Sequence, residues 1–239
     1  MKENFNIIKM HFESPLHLSK GKEDSYDSSH KILHSDTLQS AIFVCAIELF
    51  GEEVANKDFF SSYQVSSAFP FFCETGKFDE YFFPKPQKDF NLFKLGTEES
   101  KDIKEVKKID YLSKSYFEDF VNGKQIVFDR NKVRSSCYSN ILKKKNHDFN
   151  LFKSEINQRV SLSRLLDSDS NLFYMDRIYF QQDSGLYFIL QVSEEKNRGK
   201  IIAALHHLGE SGIGTDRNVG QGNFRIEEAE LEINIPNNT

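Results

Sequence analysis

The stretch GIGTDRNVGQGNF, Gly212 to Phe224, sets Gly212, Gly214, Gly220 and Gly222 around Asp216 and Arg217. Its flanks constrain the fold more than the glycines do. Ile201, Leu205 and Leu208 share one helix face ahead of it, with Gly209 as the expected C-terminal cap. The alternating run NFRIEEAELEI after it reads as a strand. A phosphate-binding glycine motif runs the other way, from strand through loop into helix. The Walker Gly-Lys-Ser/Thr ending is also missing, so a nucleoside triphosphate or dinucleotide site is disfavoured. Two uses remain open. Bare backbone N–H groups can nest around phosphate oxygens, with Arg217 adding a forked charge contact. Alternatively, the glycines serve a tight αβ connection and its packing.

The rest of the chain alternates strands and helices. Phe5–Glu13 alternates as a strand and runs into the polar stretch SPLHLSKGKEDSYDSSH. Leu38, Ile42, Cys45 and Leu49 then form one helix face, with Asp36 and Gln39 as a capping-box-like start. Tyr63–Phe72 reads as a strand in which Pro70 marks an end or a sheet edge, and Phe82–Pro86 as a rigid connector. A charged helix is expected over Glu98–Lys108. LFYMDRIYF and GLYFILQVS, separated by QQDS, read as a hairpin. The order predicts an α+β chain of two units joined near a basic block, and 239 residues suffice for two small cores.

That block runs from Val121 to Arg164, with ten Lys/Arg against three acids, a net of +7 inside a chain of net −5. It is either an edge for a polyanion or a solvated loop. The longest apolar run, Ala41–Ile47, is too short to span a bilayer, and no signal peptide opens the chain. Cys45, Cys73 and Cys137 lie far apart without metal-type pairing, which points to a reducing, cytoplasmic setting. His206 and His207 point to different helix faces, so they do not share a metal. Asp167, Asp169 and Asp176 sit near a turn, where acids cap and solvate.

Several stretches together resemble a known family. SPLHLSKGKEDSYDSSHKILHSDTLQSAI is similar to the N-terminus of the CRISPR RAMP subunits that cap the guide RNA in type III-A (Csm) effectors. SSAFPFF, YFFPKP, KKIDYLSKSYFEDFVNG, QRVSLSR and the glycine stretch follow in that family's order. The resemblance implies two tandem ferredoxin-like (RRM-like) RAMP domains, over residues 1–123 and 124–239. The second would hold a basic insertion (124–164) and the glycine-rich loop (212–222). It implies a non-catalytic role without cofactor, metal or membrane. The subunit would grip the repeat-derived 5′ handle of the crRNA and join the large signalling and nuclease subunit to the adjacent backbone RAMP subunit. Members of that family also continue further beyond the glycine loop, which leaves contacts of such an element with the large subunit outside this sequence.

Carried onto this chain, the resemblance assigns RNA contact to the loop of Gly212, Ile213, Gly214, Arg217, Gly220 and Gly222. His17, Lys20 and Gly21 after the first strand, and His34 and Ser35 at the helix start, are further candidates, although Ser35 and Asp36 also fit a helix cap. Arg159 and Arg164 fit a strand presenting alternate side chains to RNA. Lys143, Lys144 and Lys145 fit either a protruding hairpin that divides the guide or a solvated loop. The rival reading is a metal-independent RAMP endoribonuclease maturing precursor crRNA, with His34, His17, Tyr26 and Lys20 supplying acid–base groups.

Overall fold

The two ends of the chain lie side by side. The first strand, β1 (Lys2–Phe12), pairs antiparallel with the last along its whole length, from Lys2 opposite Asn234 to Phe12 opposite Phe224. The computed structural model describes residues 1–19, 26–30, 32–74, 78–87, 92–94, 99–135, 140–143, 151–162 and 170–236. After β1 come α1 (Ser35–Phe50), α2 (Lys57–Ser61), β2 (Tyr63–Val65), β3 (Phe69–Glu74), β4 (Phe78–Pro84) and β5 (Phe93–Lys94). Next are α3 (Glu99–Lys108), β6 (Tyr111–Ser113), α4 (Lys114–Val121), β7 (Ile126–Val127), β8 (Val133–Ser135) and β9 (Asn140–Leu142). The chain closes with β10 (Phe152–Leu162), β11 (Ser170–Phe180), β12 (Ser184–Val192), α5 (Arg198–Ser211) and β13 (Phe224–Asn234).

Nine strands form one sheet in the order β13-β1-β12-β3-β4-β6-β9-β8, with β2 pairing the end of β12. Within it, β1, α1, β3, β12, α5 and β13 make a β-α-β-β-α-β unit with the split βαβ strand order. The segment from β4 to β11 is inserted into that unit. A division after residue 123 is therefore not followed by the sheet, because β1 pairs with both β12 and β13. Among the described residues the split βαβ order is met once, built by the two ends of the chain together.

Both faces of the central strands are covered, which is why Ile7, Ile8, Lys9 and Met10 are buried in succession. Ile8 and Met10 point towards α1 and α5, joining Leu38, Ile42, Leu205 and Leu208 in the main core. Ile7 points the other way, towards Phe71, Tyr187, Leu231 and Ile233. A smaller core under α3 and α4 gathers Val106, Tyr116, Phe120 and Ile126. The buried Lys9 reaches Asp79 at 2.9 Å and Glu227 at 3.2 Å, with its ammonium over the rings of Phe71 and Tyr81.

Several local expectations are corrected. LFYMDRIYF and GLYFILQVS are strands, but not partners: β11 pairs with β10, while β12 lies in the main sheet. Alternation marks a strand without naming its neighbour. Pro70 lies inside the sheet, opposite Leu186, and its missing N–H is tolerated because pairing with β4 starts only at Phe71. Phe82–Pro84 continues β4 instead of turning. Helix α1 has His34 at its N-cap, so Asp36 sits in the first turn and accepts from Thr37 N at 2.7 Å. Gly209 is buried within α5, against Phe224, and the helix runs on to Ser211.

Candidate nucleic-acid interface

Helix α5 ends where Gly212, at φ 79°, returns its N–H to Leu208 O at 2.8 Å. The loop then closes on itself: Ile213 N donates to Gly222 O at 3.0 Å and Gln221 N to Asp216 O at 3.3 Å. It also seats on the segment after β1, with Thr215 N donating to His17 O at 3.0 Å and Gly222 N to Pro15 O at 2.9 Å. Close backbone approaches explain three of the glycines, Gly212 among them because a Cβ there would meet Gln221 O. A Cβ on Gly214 would run into His17 O, and one on Gly222 into Ile213 O, so both positions exclude side chains for the protein's own backbone. Gly220 differs, because a Cβ there would meet open space.

The outer side of the loop borders a cleft of about 370 Å³. Gly212, Ile213, Gly214 and Arg217 line one wall, and His34 and Thr37 at the start of α1 line another. Ile213 is buried, while His34 and Arg217 are exposed, and Arg217 has no ion pair among the described residues. The positive end of the α1 dipole and a free guanidinium thus meet at one opening, an arrangement suited to an anion. Asp36 tempers that field from the first turn. A larger cleft of about 620 Å³ elsewhere is lined by Glu53, Asp58 and Glu194 against Lys196 and Lys200, an acidic balance ill-suited to a polyanion.

The paired strands β10 and β11 stand against the other flank of the loop. Asn157, Arg159 and Arg177 share the face turned towards it, by strand alternation and the pairing of Glu155 with Arg177. Arg159 Nη1 donates to Asp216 Oδ1 at 3.1 Å and Oδ2 at 2.9 Å, and Arg177 Nη2 donates to Oδ2 at 2.9 Å. The edge of β11 also pairs with the segment after β1, through Leu16 and Ile178 and through Asp176 N donating to Tyr26 O. Four buried polar side-chain atoms lack partners among the described residues: His17 Nε2, Asn157 Nδ2, Arg177 Nε and Gln221 Oε1. They lie on the glycine loop, on the segment after β1 and on the paired strands β10 and β11.

The structure thus brings Gly212, Ile213, Gly214, Arg217 and His34 to one cleft. Gly220 and Gly222 belong to the same loop. Ser35 donates its backbone N–H to Ser67 Oγ at 3.2 Å, an anchoring role for the helix start. His17 is buried, with Nδ1 on Asp176 O at 2.7 Å, so its side chain serves the junction and not the surface. Arg159 is held by Asp216, a partner that strand alternation alone did not disclose. Lys143 is buried at the end of β9, its N–H bound to Lys132 O at 3.0 Å, so it does not lie in a solvated loop. Lys20, Gly21, Lys144, Lys145 and Arg164, like Cys137, lie outside the described residues.

The described members of the rival reading's acid–base group differ in their surroundings. His17 is buried beside Tyr26, at 6.2 Å between rings, whereas His34 is exposed and faces His30 at 6.0 Å. Arg177 and Asp216 were missed by sequence reasoning. The only signal was the acid beside Arg217 within a glycine loop.

No family model matches the chain. Two curated proteins, each named CRISPR system Cms protein Csm4, are similar to it. The one from Thermococcus onnurineus is 26% identical over 220 residues, covering 86% of this chain and 66% of the relative. The one from Methanocaldococcus jannaschii is 24% identical over 257 residues, covering 94% and 66%. The chain therefore spans about two thirds of the length of these relatives. Among solved structures, a chain of the Csm3–Csm4 subcomplex of the type III-A CRISPR–Cas interference complex superposes with a TM-score of 0.63. That match is at 18% identity over 96% of this chain and 70% of that one. A chain of the Csm1–Csm4 cassette with AMPPNP gives 0.60 at 21% identity, over 98% and 73%. The mixed α/β fold with one large sheet is shared with these structures. No helix among the described residues is long and apolar enough to cross a membrane.

Proposed function

We propose, from its standing among Csm4 relatives, that this chain is a Csm4-type RAMP subunit of a type III-A CRISPR effector. It binds the repeat-derived 5′ handle of the crRNA at the cleft between the glycine loop and the start of α1. Arg217 contacts a phosphate there, and the backbone of Gly212–Gly214 with the start of α1 forms the wall along which the strand runs. Asp216, held by two arginines, fixes the loop's shape so that the neighbouring Arg217 is presented outward. The role is non-catalytic and cytoplasmic, with the large Csm1-type subunit and a Csm3-type backbone subunit as protein partners.

The observation that carries the reading is the meeting of Arg217, the glycine loop and the N-terminus of α1 at one opening. The endoribonuclease alternative is less well supported, because His17 is buried and hydrogen-bonded while His34 is exposed at the start of α1. The test is titration of the protein into end-labelled repeat RNA without metal, each sample run on native and denaturing gels. Intact RNA that shifts on the native gel, and shifts less with Arg217→Ala, is expected. A discrete cut abolished by His34→Ala would overturn the reading in favour of the endoribonuclease.

A further inference from the structure

Helices α1 and α5 pack together, and their contact carries a donor set that nucleic-acid binding does not use. Cys45 and Glu48 lie about one turn apart on α1 and meet His207 of α5. Sγ, a carboxylate oxygen and an imidazole nitrogen all lie within 4.8 Å of one another. Glu48 Oε2 and His207 Nε2 are 3.0 Å apart. A tetrahedral ion with bonds of about 2.0–2.3 Å holds its ligand atoms about 3.3–3.8 Å apart, so small side-chain rotations suffice to enclose one. Cys45 approaches from the core at 2% exposure. The Glu48 and His207 side chains, 55% and 32% exposed, leave an entry path from solvent.

We propose that Cys45, Glu48 and His207 form a binding site for a borderline-soft divalent metal ion, zinc foremost, with water as the fourth ligand. Sulfur, nitrogen and oxygen donors in one set suit zinc or cobalt(II) and disfavour magnesium or calcium, which take oxygen alone. Binding releases the Cys45 thiol proton to solvent, moves the imidazole proton of His207 from Nε2 to Nδ1 as the Glu48–His207 hydrogen bond breaks, and forms metal–sulfur, metal–oxygen and metal–nitrogen bonds. Burial, with the Glu48 charge, holds the free thiol up at about 11, so the metal's own charge has to drive deprotonation. Arg217 acts in the same direction on that thiol. Ala41 of α1 and Leu208 of α5 line the nucleic-acid cleft, so the ion would brace the two helices that frame it.

The test needs no RNA. Chelator-treated protein is titrated with cobalt(II) and followed for thiolate-to-cobalt charge-transfer absorption, then with zinc for its displacement and for a rise in melting temperature. The band is expected in the native sequence and lost in His207→Gln and in Cys45→Ser. His207→Gln alters a partly exposed side chain and keeps the test decisive should Cys45→Ser fold poorly. Absence of the band in the native protein overturns the site. So does its survival in either folded variant, which would move the thiolate to Cys73 or Cys137 or remove His207 from the set.

Discussion

Arg159 of β10 holds Asp216 of the glycine loop with one nitrogen on both carboxylate oxygens, at 3.1 and 2.9 Å. Arg177 completes the clamp from β11 at 2.9 Å. The Asp216 side chain is 12% exposed, and Arg177 is 15% exposed. Removing the acid therefore leaves an arginine largely buried beside no counter-charge. Asp216→Asn is expected to cost about 1–3 kcal/mol by chemical denaturation. Arg159→Ala, at a more exposed position, should cost less, and the two changes together less than their sum. An unchanged denaturation midpoint in Asp216→Asn would show that the clamp adds nothing to stability.

The glycines of the loop divide into two kinds. Gly214→Ala and Gly222→Ala force a Cβ against backbone oxygens of His17 and Ile213, and each should destabilise by more than about 2 kcal/mol. Gly220 faces open space at φ 75°, so Gly220→Ala carries only the left-handed penalty of about 1–2 kcal/mol, and Gly220→Asn less. Melting temperatures of the four variants check the order. Equal losses at all positions would contradict it.

Lys9 ties the sheet's second face to acid stability. Burial alone would raise the Asp79 carboxyl, but hydrogen bonds from Cys73 and Lys9 hold it below its ordinary 3.8. Glu227 is likewise pushed up by burial, yet Lys9 and His11 hold it below 4.5. Both acids bind their protons less readily folded than unfolded. Their stabilisation is therefore complete above about pH 4.5 and is lost as pH falls through the lowered values. Urea midpoints followed from about pH 6 down to about pH 3 should fall steeply in the native protein and less so in Asp79→Asn/Glu227→Gln. Parallel curves would exclude the cluster as a source of the acid limb.

Much of the fold was legible because apolar period survives into structure. Ile201, Leu205 and Leu208 mark α5, and Leu38, Ile42 and Cys45 mark α1, as their spacing suggests. Partnership was not legible. Nothing in Ser170–Phe180 distinguishes β10 from β12 as its neighbour, and nothing in Lys2–Phe12 announces that it closes against Phe224–Asn234. The site followed the same rule. The glycines and Arg217 stand out within one short stretch, whereas the clamp joins Asp216 to arginines on distant strands, and the His207 set joins residues from opposite ends of the chain.

The proposed binding of the handle turns on Arg217 facing a phosphate in the cleft. The direct measurement is the salt dependence of repeat-RNA binding by the native protein, Arg217→Ala and Arg217→Lys. Arg217→Ala should weaken binding at every handle sequence, lower the slope of log K against log salt by about one, and leave the melting temperature unchanged. Arg217→Lys should keep the slope and lose part of the affinity, since a point charge replaces the fork. A native slope and affinity in Arg217→Ala would contradict the account and move the RNA to another face.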